Sequence, residues 1–445
     1  MKKTVVVFYS KGYCDQVAYA LEEYYNSIAD QVSVLLINES QYTSIGSRKF
    51  KDGLYKFSMR NMPGVNRFCG YISYQYNEKF KNKTSKNAKE TEAESKAVAV
   101  DPEKEESFKN LKTRFRKVDN IFLRFNPDVV ICTTPVSLEK SLKARERLGM
   151  SMQICVAITD YCTNRGLINS GVDKFLVQNT GIKQTLTTFG IKEENIQVLG
   201  TPINTAITKK YDKAKMLEYF GVQNKELPNV MIVSGRCGCS RVIDAFKTLA
   251  PYTNDMNMFV FANDSQNIHS FIKSYIKAAK ISTNVYMIDE VDDMAKIYSI
   301  IDVVVTSPTA AITYEASSRG IPVVLLKAAN MLEEGNFTYL STNGYAFIGE
   351  KTSHLVPAVM SLIKKQNPDG TDLNIKPQPQ DRAKEYGDYI LSLVSTDAQT
   401  KKAQRAAKRA KQMAEKLEDK PVIEDKPVIE DKPVEEEKSK KKKSK

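Results

Sequence analysis

Short, apolar and mostly β-branched runs that alternate with helix-length stretches constrain the fold of this chain more than any other feature. The first series of runs lies at residues 4–9, 32–37, 128–132, 153–158, 174–177 and 197–199. A second series, after Leu227-Pro228, lies at residues 230–233, 258–261, 285–288, 303–305 and 323–326. Parallel strands have such runs because helices cover both faces of their sheet. The pattern therefore predicts two doubly wound α/β, Rossmann-like domains that face each other across a cleft.

Changes in composition set the predicted boundaries of these domains. The N-terminal domain covers residues 1–210, and its almost wholly polar and charged segment 82–106 is predicted to be a disordered insert. The C-terminal domain covers residues 228–395. Residues 400–445 begin with an alanine-rich basic segment, which is predicted to be a solvated helix. Charged repeats that contain proline and a final lysine run follow, and both are predicted to be disordered.

The formal net charge of +13 favours anionic partners: lipid head groups, nucleotide phosphates or nucleic acid. Residues 47–83 mix aromatic and basic side chains, which form either the core of a helical hairpin or a surface that lies on an anionic membrane. The basic tail argues for nucleic acid. The chain has no recognition motif, however, and the tail also carries many acids, so no nucleic-acid partner is expected. Since no window holds the roughly 20 apolar residues of a spanning helix, a soluble or peripheral protein is predicted.

Cysteine and histidine usage argues against a metal site. The seven cysteines are an odd, scattered set, which predicts reduced thiols in a cytoplasmic protein. Cys237 and Cys239 have no partners at zinc-finger spacing, and His269 and His354 are the two histidines of the sequence. We therefore expect no metal and no cofactor.

Three loops follow predicted strands at their carboxyl ends, where parallel sheets bind ligands. They are residues 10–13, 159–161 and 234–240. Glycine between a strand and a helix lets backbone N–H groups approach a phosphate, although tight α/β turns also use glycine for their own geometry.

The order of short motifs along the chain is more specific than any one of them. Asn-Pro-Asp-Val-Val lies at 126–130, Thr-Asp-Tyr at 159–161 and Ile-Gln-Val-Leu-Gly-Thr-Pro-Ile at 196–203. The second half has Ser-Gly at 234–235, Thr-Ser-Pro-Thr-Ala-Ala-Ile-Thr-Tyr-Glu-Ala at 306–316, Gly-Ile-Pro-Val-Val at 320–324 and Glu-Glu-Gly-Asn at 333–336. Over residues 3–365, apart from the insert, this order resembles the diacylglycerol glycosyltransferase and monogalactosyldiacylglycerol synthase family, related to the glycosyltransferase of peptidoglycan lipid II synthesis. The resemblance implies a GT-B fold that holds an acceptor lipid in its first domain and a UDP-sugar, as substrate, in its second.

The resemblance also implies roles for individual residues. Glu315 would bind the donor ribose, while Glu333 and Asn336 would hold the donor sugar. Asp160 is the candidate base, with helix capping as its structural alternative. Further donor contacts are implied for Ser234, Gly235, Arg236, Cys237, Gly238, Thr309 and Ala310, and acceptor-side positions for Gly12 and Tyr13. No metal is needed in such inverting enzymes, because helix N-termini and backbone amides stabilise the leaving diphosphate.

The chain departs from the family at several of these positions. Tyr13 and Asn164 replace two histidines, Ser307 replaces a lysine, and Thr309 and Ala310 replace paired glycines. Two hypotheses follow. One is a hexosyltransferase that transfers a sugar from a UDP-sugar to a lipid such as diacylglycerol, peripherally at the inner face of the cell membrane. The other is a catalytically degenerate relative with a binding or regulatory role.

Overall fold

The computed structural model describes residues 2–10, 15–39, 116–233, 239–261, 266–281, 284–289, 291, 293–365 and 382–394. The predictions for the aromatic and basic segment 47–83, the insert 82–106 and the tail 400–445 lie outside these residues.

Each half of the described chain is built on a six-stranded parallel sheet. The strands of the first half are β1 (Lys3–Tyr9), β2 (Val32–Asn38), β3 (Val129–Cys132), β4 (Gln153–Ile158), β5 (Lys174–Val177) and β6 (Ile196–Val198), and they pair in the order β2-β1-β3-β4-β5-β6. The strands of the second half are β7 (Asn229–Val233), β8 (Asn257–Phe261), β9 (Val285–Ile288), β10 (Val303–Thr306), β11 (Val323–Leu325) and β12 (Phe347–Ile348), in the order β12-β11-β10-β7-β8-β9. The predicted pair of doubly wound sheets is confirmed.

Helices connect these strands and cover both faces of each sheet. In the first half they are α1 (Asp15–Ser27), α2 (Arg116–Phe125), α3 (Pro135–Leu148) and α4 (Thr180–Thr188). The chain then continues through α5 (Thr205–Thr208), α6 (Lys213–Tyr219), α7 (Cys239–Leu249), α8 (Gln266–Ala279), α9 (Met294–Tyr298), α10 (Ala310–Ser318), α11 (Met331–Thr342), α12 (Thr352–Ile363) and α13 (Ala383–Ser392).

Alternating side chains of each strand enter opposite core layers. In β1, Val6 and Phe8 pack towards α2 and α3, whereas Val5 and Val7 pack towards α1. In β7, Val230 and Ile232 face α7, α8 and α12, whereas Met231 and Val233 face the layer of α9, α10 and α11. This last layer also takes in Tyr161 of the first half, so it is the face through which the two halves meet.

The last described helix, α13, packs on the first half, although the predicted boundary assigns residues 383–392 to the second domain. Tyr386 and Ile390 are buried against the first sheet, and the hydroxyl of Tyr25 donates to the carbonyl of Gly387 at 3.2 Å. At the other predicted boundary, Leu217 and Val222 already belong to the core of the second half. Contacts of that half therefore begin before residue 228.

None of the helices in the described part of the chain has the length and apolar character required to cross a membrane.

Candidate functional site

The site lies close to the point where the order of strands reverses in the second sheet. In the second sheet this point is between β7 and β10, and loops at the carboxyl ends of such strands line the crevice in which α/β sheets bind ligands. The loop after β7, residues 234–238, carries the predicted diphosphate contacts and lies outside the described residues, as do Gly12 and Tyr13 after β1. The loop after β10 and the start of α10 are described.

Thr309 and Ala310, which replace the family's paired glycines, stand at the start of α10. Thr309 is the N-cap residue in an extended conformation, with φ −93° and ψ 128°, and its side chain makes no capping hydrogen bond. Ala310 is the first helical residue. Since a φ of this sign suits any residue, the threonine is accommodated here without backbone strain.

Glu315 lies on α10 and is hydrogen-bonded from both halves of the protein. The side-chain amide of Gln16, on α1, donates to Oε1 and also to the carbonyl of Ala311 at 3.2 Å. The hydroxyl of Tyr298 donates to Oε2 at 2.9 Å. Burial raises the pKa of Glu315 to about 6, although the hydrogen bonds from Gln16 and Tyr298 act in the opposite direction. An ionised carboxylate offers about four acceptor positions, so Glu315 has capacity for more donors.

Glu333, in the first turn of α11, is 4% exposed. Its Oε2 accepts from the backbone N–H of Ala329 at 2.7 Å and from the Arg241 guanidinium at 3.1 Å. Its Oε1 is buried and has no hydrogen-bond partner among the described residues. A buried carboxylate oxygen that lacks a donor is costly, which suits an atom that accepts a hydrogen bond from a ligand.

Asn336 follows Glu333 on α11 and joins the two halves. Its Nδ2 donates to Oδ1 of Asp160 at 3.0 Å and to the carbonyl of Pro308 at 3.1 Å. Its Oδ1 accepts from the backbone N–H of Tyr161 at 2.9 Å and lies 3.8 Å from the thiol of Cys162, which is nearer, at 3.4 Å, to the carbonyl of Leu332. The structure thus brings the predicted base, Asp160, into direct contact with Asn336, which was predicted to hold the donor sugar.

Close packing holds α11 against the loop after β4. Tyr161 stacks on Tyr339 with ring centroids 5.2 Å apart and an angle of 18° between the rings. Gly335 faces Cys162 so closely that a Cβ atom built on it would lie 2.5 Å from the sulfur. Burial raises the pKa of the Cys162 thiol to about 12, so this cysteine is a protonated packing residue and not a nucleophile.

Three residues of the site were not identified from the sequence: Gln16, Tyr298 and Arg241. Gln16 and Tyr298 meet Glu315 only through the fold, and no local pattern marks them. Arg241 carried a usable signal, since it is a basic side chain just after a glycine-containing loop between a strand and a helix.

The first half of the chain matches a known protein family. Residues 15–203 match the family described as monogalactosyldiacylglycerol (MGDG) synthase. The predicted family resemblance is confirmed.

Within the described part of the chain, no group of three or more His, Cys, Asp or Glu side chains is arranged as metal ligands would be.

The chain is also similar to curated proteins and, in its fold, to solved structures. A processive diacylglycerol beta-glucosyltransferase of Bacillus licheniformis is 22% identical over 251 residues, which are 56% of this chain and 63% of that relative. This match therefore spans less than two thirds of the relative. MurG of Acinetobacter baumannii aligns with 88% of this chain and 100% of its own at 13% identity and a TM-score of 0.50.

A UDP-GlcNAc 2-epimerase of Neisseria meningitidis, solved with UDP-GlcNAc bound, covers the same share of each chain at 14% identity and a TM-score of 0.57. At these identities the two solved structures show the fold alone. The fold is of the GT-B type, as the resemblance implied.

Proposed function

We propose that this chain transfers a hexose from a UDP-sugar to the hydroxyl group of a membrane lipid of the diacylglycerol type. The observation that carries the proposal is the 3.0 Å contact between Asp160 of the first half and Asn336 of the second. The carboxylate of Asp160 therefore lies beside the layer of α10 and α11, near the reversal of strand order in the second sheet, which supports a role in proton abstraction. The name of the Bacillus licheniformis relative supports the acceptor class, and the UDP-GlcNAc bound to the Neisseria meningitidis protein supports the donor class.

The donor is proposed to lie along the second half. Ionised Glu315 accepts hydrogen bonds from the ribose hydroxyls, and Oε1 of Glu333 accepts from a hydroxyl of the hexose. The diphosphate lies at the start of α10, by Thr309 and Ala310, where backbone N–H groups and the positive end of the helix dipole favour an anion. Residues 234–238 are proposed to complete this contact from the loop after β7.

The transfer step follows from these placements. Asp160 accepts the proton of the acceptor hydroxyl as its oxygen attacks the anomeric carbon. The bond between that carbon and the diphosphate oxygen breaks, and UDP leaves with the bonding electron pair. Backbone N–H groups at the start of α10 stabilise the negative charge that develops on the diphosphate, so neither a metal nor another cofactor is required in this scheme.

The acceptor side is proposed to be peripheral at the inner face of the cell membrane. The basic and aromatic residues of segment 47–83 support binding to anionic lipid. In the described part of the chain, α2 exposes Leu123 and Phe125 to 51% and 38%, and the Arg124 guanidinium lies 5.3 Å from the centre of the Phe125 ring. Apolar side chains beside a cation suit an interface between lipid and water.

A transfer assay tests the proposal. Purified full-length chain is incubated with vesicles that contain diacylglycerol and phosphatidylglycerol, together with labelled UDP-glucose, UDP-galactose or UDP-N-acetylglucosamine. We expect label in the lipid fraction with at least one donor, and a loss of about 100-fold or more in Asp160→Asn, because general-base catalysis contributes that much. Binding of UDP, measured as a rise in melting temperature, should be unchanged in the variant.

The controls separate the alternatives. A rise in melting temperature with UDP, but no lipid product from any donor, would favour the catalytically degenerate relative. A chain to which neither UDP nor any of the UDP-sugars binds would refute the donor site itself.

A further inference from the structure

Both N–H donors and the oxygen of the Asn336 side chain are hydrogen-bonded within the protein itself. An amide side chain offers two N–H donors and an oxygen with two lone pairs. The two donors are directed at Asp160 and the carbonyl of Pro308, and the oxygen accepts from the N–H of Tyr161. The thiol of Cys162 lies 3.8 Å from the same oxygen but 3.4 Å from the carbonyl of Leu332, and its single proton serves the nearer acceptor. The residue is 1% exposed.

The chemistry of the partners fixes the orientation of this amide. The Pro308 carbonyl can only accept, and the Tyr161 backbone N–H can only donate. An ionised Asp160 also only accepts. Turning the amide over would bring its oxygen against two acceptors and its nitrogen against a donor, so the observed orientation is the one that satisfies all of its partners.

The two carboxylates predicted to bind the donor, Glu315 and Glu333, differ from Asn336 in this respect. Glu315 keeps acceptor capacity beyond its bonds to Gln16 and Tyr298, and Glu333 has a buried Oε1 with no partner among the described residues. A sugar hydroxyl can therefore bind either carboxylate without breaking an existing bond. At Asn336, a hydroxyl that accepts a hydrogen bond would have to displace Asp160 or Pro308, and one that donates would have to reach the oxygen of a residue that is 1% exposed.

We propose that Asn336 is a positioning residue that holds Asp160 and the adjacent backbone of Tyr161, and that it does not contact the donor sugar. This inference rests on the proposed function and departs from the role implied by the family resemblance. One amide holds the carboxylate of Asp160 and the N–H of the next residue, so the candidate base is oriented by α11 of the opposite half. The base then has its working geometry only when the two halves are together.

A binding experiment separates positioning from sugar contact. The affinities of the full-length chain for UDP and for the UDP-hexose that the wild type uses are measured by calorimetry in Asn336→Ala. A positioning residue leaves the ratio of these two affinities within about twofold of the wild type, because only the sugar distinguishes the ligands. In the comparison variant Glu333→Gln, we expect the UDP-hexose to bind about tenfold or more weakly, while UDP binds as before.

A pH profile gives the second readout. Asn336→Asp has nearly the same shape but places a second carboxylate against Asp160. Because two adjacent carboxylates resist joint ionisation, we expect the acidic limb of the kcat profile to move up by about one pH unit or more, with the donor KM little changed. In Glu333→Gln this limb should remain in place.

Three outcomes would overturn the inference. The first is a selective loss of UDP-hexose affinity in Asn336→Ala, which would show that the amide touches the sugar. The second is an unmoved acidic limb in Asn336→Asp, which would show that Asp160 does not depend on this residue. The third is a wild type that binds UDP-hexose without transferring it, and this outcome would refute the proposed transfer at the same time. If Asn336→Asp does not fold, the affinity ratio in Asn336→Ala still decides the question.

Discussion

Glu315 and Asn336 are both hydrogen-bonded to the first half of the protein, but they differ in what more they can bind. The carboxylate of Glu315 accepts from Gln16 and Tyr298 and retains acceptor positions, whereas both N–H donors of the Asn336 amide are engaged and the residue is 1% exposed. The proposed binding of ribose at Glu315 therefore depends on the charge of this carboxylate, which in turn depends on pH.

We predict that UDP binds more tightly as the pH rises from 5 to 7. Burial raises the pKa of Glu315 to about 6, and only the ionised carboxylate can accept hydrogen bonds from both ribose hydroxyls. Titration calorimetry across this range should show the increase in the wild type. In Glu315→Gln, we expect affinity at pH 7 to be about tenfold lower or more, with little dependence on pH. Equal pH dependence in the two proteins would refute the assignment.

The raised pKa of Glu315 also determines how the free energy of unfolding changes with pH. The pKa of folded Glu315 lies above its ordinary value of 4.5, so the native state holds more protons than the unfolded chain between pH 4.5 and 6. The contribution of Glu315 to the free energy of unfolding therefore falls as the pH rises through this window, by at most about 2 kcal/mol. Glu315→Gln should lack this decline in denaturant unfolding measured at pH 4.5 and pH 7.

The order of motifs singled out Asp160, Glu315, Glu333 and Asn336 as candidate site residues, and the structure shows Asp160 and Asn336 in contact. The hydrogen bonds of the Asn336 amide were not predictable, because its partners come from loops distant in sequence. Gln16 and Glu315 likewise belong to different halves and meet only in the assembled fold.

At the scale of single elements, the position of α11 depends on its close contact with the loop after β4. A Cβ atom at Gly335 would lie 2.5 Å from the sulfur and 2.7 Å from the Cβ atom of Cys162. Glycine within a helix ordinarily costs about 1 kcal/mol relative to alanine. Glycine is present at position 335 because the contact with Cys162 leaves no room for a larger side chain.

We predict that Gly335→Ala destabilises the protein by about 1–3 kcal/mol despite the higher helix propensity of alanine, because the added methyl group overpacks the contact. Denaturant unfolding of Gly335→Ala, Cys162→Gly and the double variant gives the coupling between the two positions. In the double variant the penalty of the alanine should largely disappear. A Gly335→Ala protein as stable as the wild type would show that α11 moves aside at little cost.

The strands were predictable almost to the residue, since continuous β-branched runs mark buried parallel strands. The two-residue β12 gave no such signal. In α1, Val17, Leu21 and Tyr25 are buried. The burial of Tyr25 depends on α13, because Tyr25 donates to the Gly387 carbonyl, and a helix so distant in the sequence leaves no trace in the local pattern.

At the scale of the whole molecule, the first half is completed by a helix that follows the second half in sequence. In α13, Tyr386 is 1% exposed and Ile390 is 0% exposed, both against the first sheet. Lys3 also donates from Nζ to the carbonyl of Leu391 at 2.8 Å.

We predict that truncation after Lys365 destabilises the first half, whereas truncation after Thr400 does not. Removal of α13 uncovers the apolar surface under Tyr386 and Ile390, and each buried side chain of this size contributes about 1.5–3 kcal/mol. Thermal unfolding of the two truncated chains beside the full-length protein gives the comparison. Equal melting temperatures for all three would mean that α13 adds no stability.

The return of the chain to the first half means that the two halves are not consecutive stretches of sequence. One covalent crossing runs from β6 to the helices of the second half, and a second joins α12 to α13. A fragment that ends before α13 therefore lacks part of the first core, so no single cut of the chain separates the halves without loss of buried contacts.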